Sequence, residues 1–171
     1  MNKLVFMTVL ARAGGCASYS WKTAVPAAMR TVQVPTFRNS SDLTETGSVV
    51  TRQLLREFQR EGTFRVLNDG AALEVQGRVL SAGASERNAD YKSGSRLFGG
   101  TMKIVAEVSV VDKRAGRVLV DNRRYSGEAP FSSGQDRNTA LRDAAPRAAD
   151  DLARRLVDDI LDFKYNVKEA K

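Results

Sequence analysis

Catalysis needs a base, a nucleophile or a metal ligand, and this chain of 171 residues offers few of them. It has no histidine and one cysteine. That all but excludes disulfide frameworks, zinc sites and histidine-based acid–base chemistry. The carboxylates of Asp150, Asp151, Asp158 and Asp159 fall at a spacing that puts them on a helix surface. They read as solvating charges and not as an acid–base pair. Ser40-Ser41 and Ser132-Ser133 have no candidate base. Gly99-Gly100 is not a phosphate loop, because neither a Lys-Ser/Thr pair nor a helix follows it. The residue types therefore predict a binding or assembly module that is not an enzyme and takes no cofactor and no metal.

The one thiol is placed by what precedes it. Lys3 is a positive start, Leu4 to Ala11 a short apolar run, and Ala13-Gly14-Gly15 a patch of small residues ahead of Cys16. Spanning a bilayer takes about 20 apolar residues, so 1–15 reads as a secretory signal segment and not as a membrane helix. A cysteine directly after the small residues resembles a bacterial lipoprotein signal, which implies that Cys16 is acylated and becomes the new N-terminus. Residues 16–28 then form a tether.

The chain carries a net charge of +7. Lys3 and Arg12 lie in the signal segment, which leaves about +5 on the remainder. For an exported protein such an excess points to anionic lipid or lipopolysaccharide phosphate, and away from nucleic acid.

The elements that would position these charges follow from periodicity. Residues 29–37 alternate as a strand around Val32 and Val34, with Pro35 at its edge, and 38–41 read as a loop. Asp42 and Glu45 have the spacing of a capping box. Leu43, Gly47, Val50, Leu54 and Phe58 then mark one helix face, closed by Gly62. Strands are expected at 63–67, 72–81, 101–111 and 117–125. Asn68-Asp69-Gly70 is a turn, Asp112 to Gly116 a hairpin loop, and Gly77 a bulge or a close backbone approach. Met102, Ile104, Ala106, Val108 and Val110 should face the core, with Lys103 and Glu107 outward. Residues 82–100 read as a long loop or extended hairpin tip, and 126–137 as irregular. Leu141, Ala145, Ala148, Leu152, Leu156, Ile160 and Phe163 mark a closing helix interrupted by Pro146. The fold class expected is α+β, a single antiparallel or mixed sheet of four to five strands with two helices packed on one face. The domain runs over 29–165, and 166–171 form a charged tail.

Three stretches in this order resemble a family: Val32-Gln33-Val34-Pro35-Thr36-Phe37-Arg38-Asn39, then Thr51 to Phe58 (TRQLLREF), then Leu73-Glu74-Val75-Gln76-Gly77-Arg78-Val79. With Cys16 ahead of them and Leu156 to Ile160 closing the domain, the chain resembles LptE, the lipopolysaccharide-assembly lipoprotein of the Gram-negative outer membrane. The resemblance implies two helices on a four-stranded sheet, a place as plug and assembly partner of the LptD-type β-barrel, lipopolysaccharide binding, and periplasm-facing attachment to the outer membrane through an N-terminal acyl anchor. Ala17 is not the Asp that retains lipoproteins in the inner membrane. On that reading one lipopolysaccharide-binding patch is expected on the 82–100 loop and the 112–117 hairpin together, through Arg87, Lys92, Arg96, Lys113, Arg114 and Arg117, since guanidinium and ammonium groups bind phosphate by charge-assisted hydrogen bonds. The first strand, its helix and Gly62 to Leu67 also resemble CsgG- and LpoB-like lipoproteins, which assemble secretion pores or activate peptidoglycan synthases. Parallel strands joined by several helices would distinguish that class.

Overall fold

The computed structural model describes residues 25–87, 98–133 and 137–163. Cys16, the signal segment, most of the tether, Lys92, Arg96 and the charged tail lie outside them. One mixed sheet is covered on one face by two helices. Its strands are β1 (Thr31–Gln33), β2 (Arg38–Asn39), β3 (Arg65–Val66), β4 (Leu73–Arg87), β5 (Phe98–Asp112) and β6 (Arg117–Ser133), and the helices are α1 (Thr46–Glu61) and α2 (Arg137–Asp162). The strand order is β3-β1-β4-β5-β6, with β2 also beside β4. The three long strands form an antiparallel meander, while β1 runs parallel to β3 and β4.

The expected first strand is split in two. β1 pairs with Leu73 and Glu74, and β2 pairs farther along β4 with Arg78 and Val79. Pro35 sits in the gap, where its missing N–H cannot serve the ladder. Arg38 and Asn39, expected in a loop, resume the pairing.

The capping box does not form. α1 starts after Glu45, which holds φ 69° and makes no side-chain cap bond; the Thr46 hydroxyl instead donates to the Leu43 carbonyl at 2.8 Å. The far end is as expected, with Gly62 at φ 83° donating its N–H to the Phe58 carbonyl. Val50, Leu54 and Phe58 are fully buried, each contributing about 1.5–3 kcal/mol. Phe58 meets Phe64 edge to face, with centroids 5.3 Å apart.

The described parts of two segments not assigned to strands, 82–87 with 98–100 in the expected loop or extended hairpin tip and 126–133 in the expected irregular stretch, are strand. β4 and β5 extend the ladder to Arg87↔Gly99, and β6 runs on to Ser133 opposite Phe98. The alternation is present in 126–133, but Gly127 and Ala129 hold inward positions where Val or Leu would have announced a strand. They are small because α2 lies against them: a Cβ on Gly127 would come 2.0 Å from the Ala148 carbonyl oxygen and 2.5 Å from the Leu152 nitrogen. Ala144, Ala148, Ala149 and Ala153 of α2 are likewise buried and let the helix approach. Pro146 costs one helical hydrogen bond, yet α2 is continuous through it. At Gly77 the close neighbour is a ring and not backbone: a Cβ there would lie 2.1 Å from Phe37. The bulge in β4 falls later, between Val79 and Ser81. Met102, Ile104, Ala106, Val108 and Val110 all face the helices and are buried.

Candidate functional site

The ladder decides how far apart the expected cations stand. Leu73 pairs with Asp112 at one end of the β4–β5 hairpin, and Arg87 with Gly99 at the other. Thirteen strand steps of β5 separate these ends, roughly 45 Å. Arg87 therefore closes β4 at one extremity of the sheet, while Lys113, Arg114 and Arg117 lie at the opposite one. They cannot act as one patch, because a hairpin's connecting loops lie at opposite ends of its strands.

At the Lys113 end the cations are tied into the fold. Asp112, only 1% exposed, accepts the backbone N–H groups of Arg114 and Ala115 at 3.1 Å each and lies 3.5 Å from the Arg117 guanidinium. It knits the turn that ends at Gly116, whose φ is 62°. Arg114 donates to the Ala28 carbonyl at 3.2 Å. Lys113 Nζ lies 2.8 Å from the Glu74 carboxylate, which also accepts from Gln33 Nε2 at 2.7 Å and from Gln76 Nε2. The Lys113 ammonium and the Gln76 amide hold the Glu74 carboxyl below the usual carboxylate range, and Glu74 raises Lys113 in turn. Lys113 and Arg117 still present their charge to solvent, but each has a partner within the chain.

A second set of cations lies on the sheet face that no described helix covers. β2 pairs Arg38 with Arg78, β4 pairs Arg78 with Glu107, and β5 pairs Glu107 with Arg124. Paired residues share a face, so these four form one row across four strands. Arg78 Nη2 donates to Glu107 Oε1 at 3.2 Å. Arg38 and Arg124 make no ion pair with the described residues. Arg38, Arg78 and Glu107 of the row, but not Arg124, line a shallow concavity of about 470 Å³ that also takes in Glu74, Gln76, Ser109 and Asn122. Asn122 holds φ 44° at a register shift in the β5–β6 ladder, where its N–H donates to Ser109 Oγ at 3.0 Å. Sequence reading passed over the row because Arg38, Arg78, Glu107 and Arg124 are scattered along the chain. Only the register brings them together.

Two acidic residues expected to be mere solvating charges fasten α2 to β6. Asp151 accepts the Glu128 N–H at 3.0 Å; burial would raise its carboxyl, but this bond and Arg155 outweigh burial and hold it below its usual range. Asp159 accepts from Arg123 at 2.6 Å and from the Tyr125 hydroxyl. Burial first, and then Asp159, push the Tyr125 phenol well above its usual range. Among the described residues no group of three or more His, Cys, Asp or Glu side chains could hold a metal, and no helix is long and apolar enough to cross a membrane.

The family model described as LptE, lipopolysaccharide-assembly, matches residues 29–160. No curated protein matches the chain. Solved structures match in fold: protein CT253 of Chlamydia trachomatis, at TM-score 0.56 and 8% identity, covering 79% of this chain and 97% of that one; and protein XCC0632 of Xanthomonas campestris, at TM-score 0.50 and 16% identity, covering 80% and 88%. A minor lipoprotein of Acinetobacter baumannii matches at TM-score 0.49 and 14% identity, over 78% and 93%.

Proposed function

The chain belongs to the LptE lipopolysaccharide-assembly family, and from that premise we propose that it is an outer-membrane lipoprotein that plugs and helps assemble an LptD-type β-barrel and binds lipopolysaccharide on its way to the surface. The family match over nearly the whole folded region carries this reading. The topology supports it in part: β1 reaches the parallel β3 and β4 through the single helix α1, but β4, β5 and β6 form an antiparallel meander with no further helix among the described residues, where the runner-up class has parallel strands joined by several helices. Cys16 is the proposed acylation site. One acyl chain gives only marginal binding, about 0.8 kcal/mol per buried CH₂, so stable attachment needs several chains or a protein contact. The barrel supplies that contact. Arg87 at one end of the sheet and Lys113, Arg114 and Arg117 at the other are proposed to meet lipopolysaccharide as two separate contacts, together with Lys92 and Arg96, which lie outside the described residues.

Affinity purification of the tagged protein from detergent-solubilised outer membrane tests the reading. A single large β-barrel recovered in equal amount and resistant to high salt is the expected result, with a lipid mass on the N-terminal peptide that Cys16→Ser abolishes. Recovery of a peptidoglycan synthase, or of a ring of its own copies, would overturn it in favour of the runner-up.

A further inference from the structure

We infer that the outer edge of β4 from Ser81 to Arg87 pairs antiparallel with the same edge of a second copy of this chain. β4 is an inner strand only in its first half. β1 takes Leu73 and Glu74, β2 takes Arg78 and Val79, and the Ser40 N–H closes on the Val79 carbonyl. Past the irregularity between Val79 and Ser81 the strand runs on to Arg87 with β5 alone beside it among the described residues. An unpaired row of N–H and C=O groups is a template for another strand, and chains blunt such edges with proline, charge or short length. The other edges are blunted. β3 has two residues. On β6, Pro130 has no N–H, Asp151 accepts the N–H of Glu128 at 3.0 Å, and Arg147 donates to the Pro130 carbonyl at 3.1 Å. The segment Ser81-Ala82-Gly83-Ala84-Ser85 has neither proline nor charge, and its side chains are too small to keep another backbone away.

The edge matches itself, and this names both the occupant and the register. Two copies of one strand edge share a ladder about a two-fold axis when they run antiparallel, each residue meeting its partner's in reverse order. A pairing centred on Gly83 would bring Arg87 to Val79, whose carbonyl is already taken by Ser40 and beside which β2 stands. Centred on Ala84, the free edge pairs from end to end. Ala84 then lies opposite Ala84 of the second copy, Gly83 opposite Ser85, Ala82 opposite Glu86 and Ser81 opposite Arg87, so no like charges face each other. The joined sheet carries β4, β5 and β6 of each copy, with all the helices on one face. Each chain offers one such edge, so association stops at two and builds neither a ring nor a fibre. The contact is about 20 Å of strand held by main-chain bonds, which makes a weak and reversible dimer. The pairing concerns the free chain and draws nothing from the barrel reading.

The test is sedimentation equilibrium of the full lipoprotein in density-matched micelles. A monomer–dimer equilibrium with a Kd on the order of 10 μM and no larger species is expected. Gly83→Glu/Ser85→Glu sets two pairs of carboxylates opposite each other across the two-fold axis and should weaken the dimer about tenfold. The fold bears this change, because a Cβ on Gly83 meets nothing within 4 Å, Ser85 is exposed, and Lys103 lies opposite Gly83 on β5. Gly83→Glu/Ser85→Lys sets unlike charges opposite in this register and should restore wild-type association. A monomer at every concentration, a dimer indifferent to the two glutamates, a failure of Gly83→Glu/Ser85→Lys to restore it, or assembly beyond two copies would overturn the proposal. Wild-type far-ultraviolet circular dichroism in both variants shows that lost association is not lost fold. Neither a dimer nor its absence bears on recovery of the barrel, so the two readings fail separately.

Discussion

Along β5, Met102, Ile104, Ala106, Val108 and Val110 turn to the helices and are sealed, whereas Lys103, Glu107 and Ser109, one residue away each time, turn to a face that no described helix covers. The first face is held by shape. α2 lies so close to β6 that only glycine fits at position 127, and Phe37 lies so close to β4 that only glycine fits at 77. The second face is held by charge pairs: Arg78 with Glu107 and Lys103 with Glu128 at 2.8 Å reach solvent, while Lys113 caps the buried carboxylate of Glu74. Exposed pairs of this kind contribute about 0–1 kcal/mol each. Stability therefore resides on one side of the sheet, and the other side is free to carry an arrangement, the arginine row, that stability alone would not select.

The largest expected effect breaks the covered face. Gly127→Val should destabilise by about 3 kcal/mol or more, because overpacking against backbone cannot be relieved by a rotamer change. Ser126→Val, its neighbour turned to the open face, should stay within about 0.5 kcal/mol. Urea unfolding of the two variants checks this; equal losses would mean the faces are not energetically distinct.

A middle effect concerns Glu74, bonded to Lys113, Gln33 and Gln76. Glu74 titrates below its ordinary range, so its contribution is present above the unfolded carboxylate pKa and is lost as pH falls through the lowered value. Lys113 titrates above its ordinary range, so its share is present below the unfolded lysine pKa and is lost as pH rises through the raised value. Glu74→Gln should therefore lower stability near neutrality and flatten both the acid and the alkaline limb of a stability–pH curve measured by urea unfolding. An unchanged acid limb would show that Glu74 does not feel Lys113.

The smallest effect has the opposite sign. Arg38→Gln removes a like charge beside Arg78 and should stabilise by about 0.2–0.5 kcal/mol at low salt, with the gain fading as salt is added. A loss of stability in the same unfolding assay would mean that the row is structural.

Several elements were legible in the residues. Gly62 ends α1, the inward positions of β5 are the alternating apolar ones, and the stripe from Leu141 to Ile160 is the buried side of α2. Segments with small inward residues were not legible. Ala82, Ala84 and Gly100 in the extended hairpin, and Gly127 and Ala129 in β6, carry too little side chain to produce a hydrophobic alternation, although the strands run on past their expected ends by six residues in β4, three in β5 and eight in β6. The Asp42–Glu45 spacing misled because a capping box needs its first residue at the N-cap and its glutamate three residues inside the helix, whereas Glu45 is itself the N-cap and Asp42 lies outside. For the site, the tips were legible as charge-rich segments, but their separation was not.

The sequence by itself determined the class of fold, the two amphipathic helices, the inward face of the central strand, the shortage of catalytic groups and the family resemblance, because each is written in residues a few positions apart. The tertiary structure alone decided which cations share a surface. Lys113 and Arg87 are parted by the length of a hairpin, and Arg38 and Arg124 are joined across four strands, because strand register relates residues 40 or 86 positions apart and leaves no local mark on either of them.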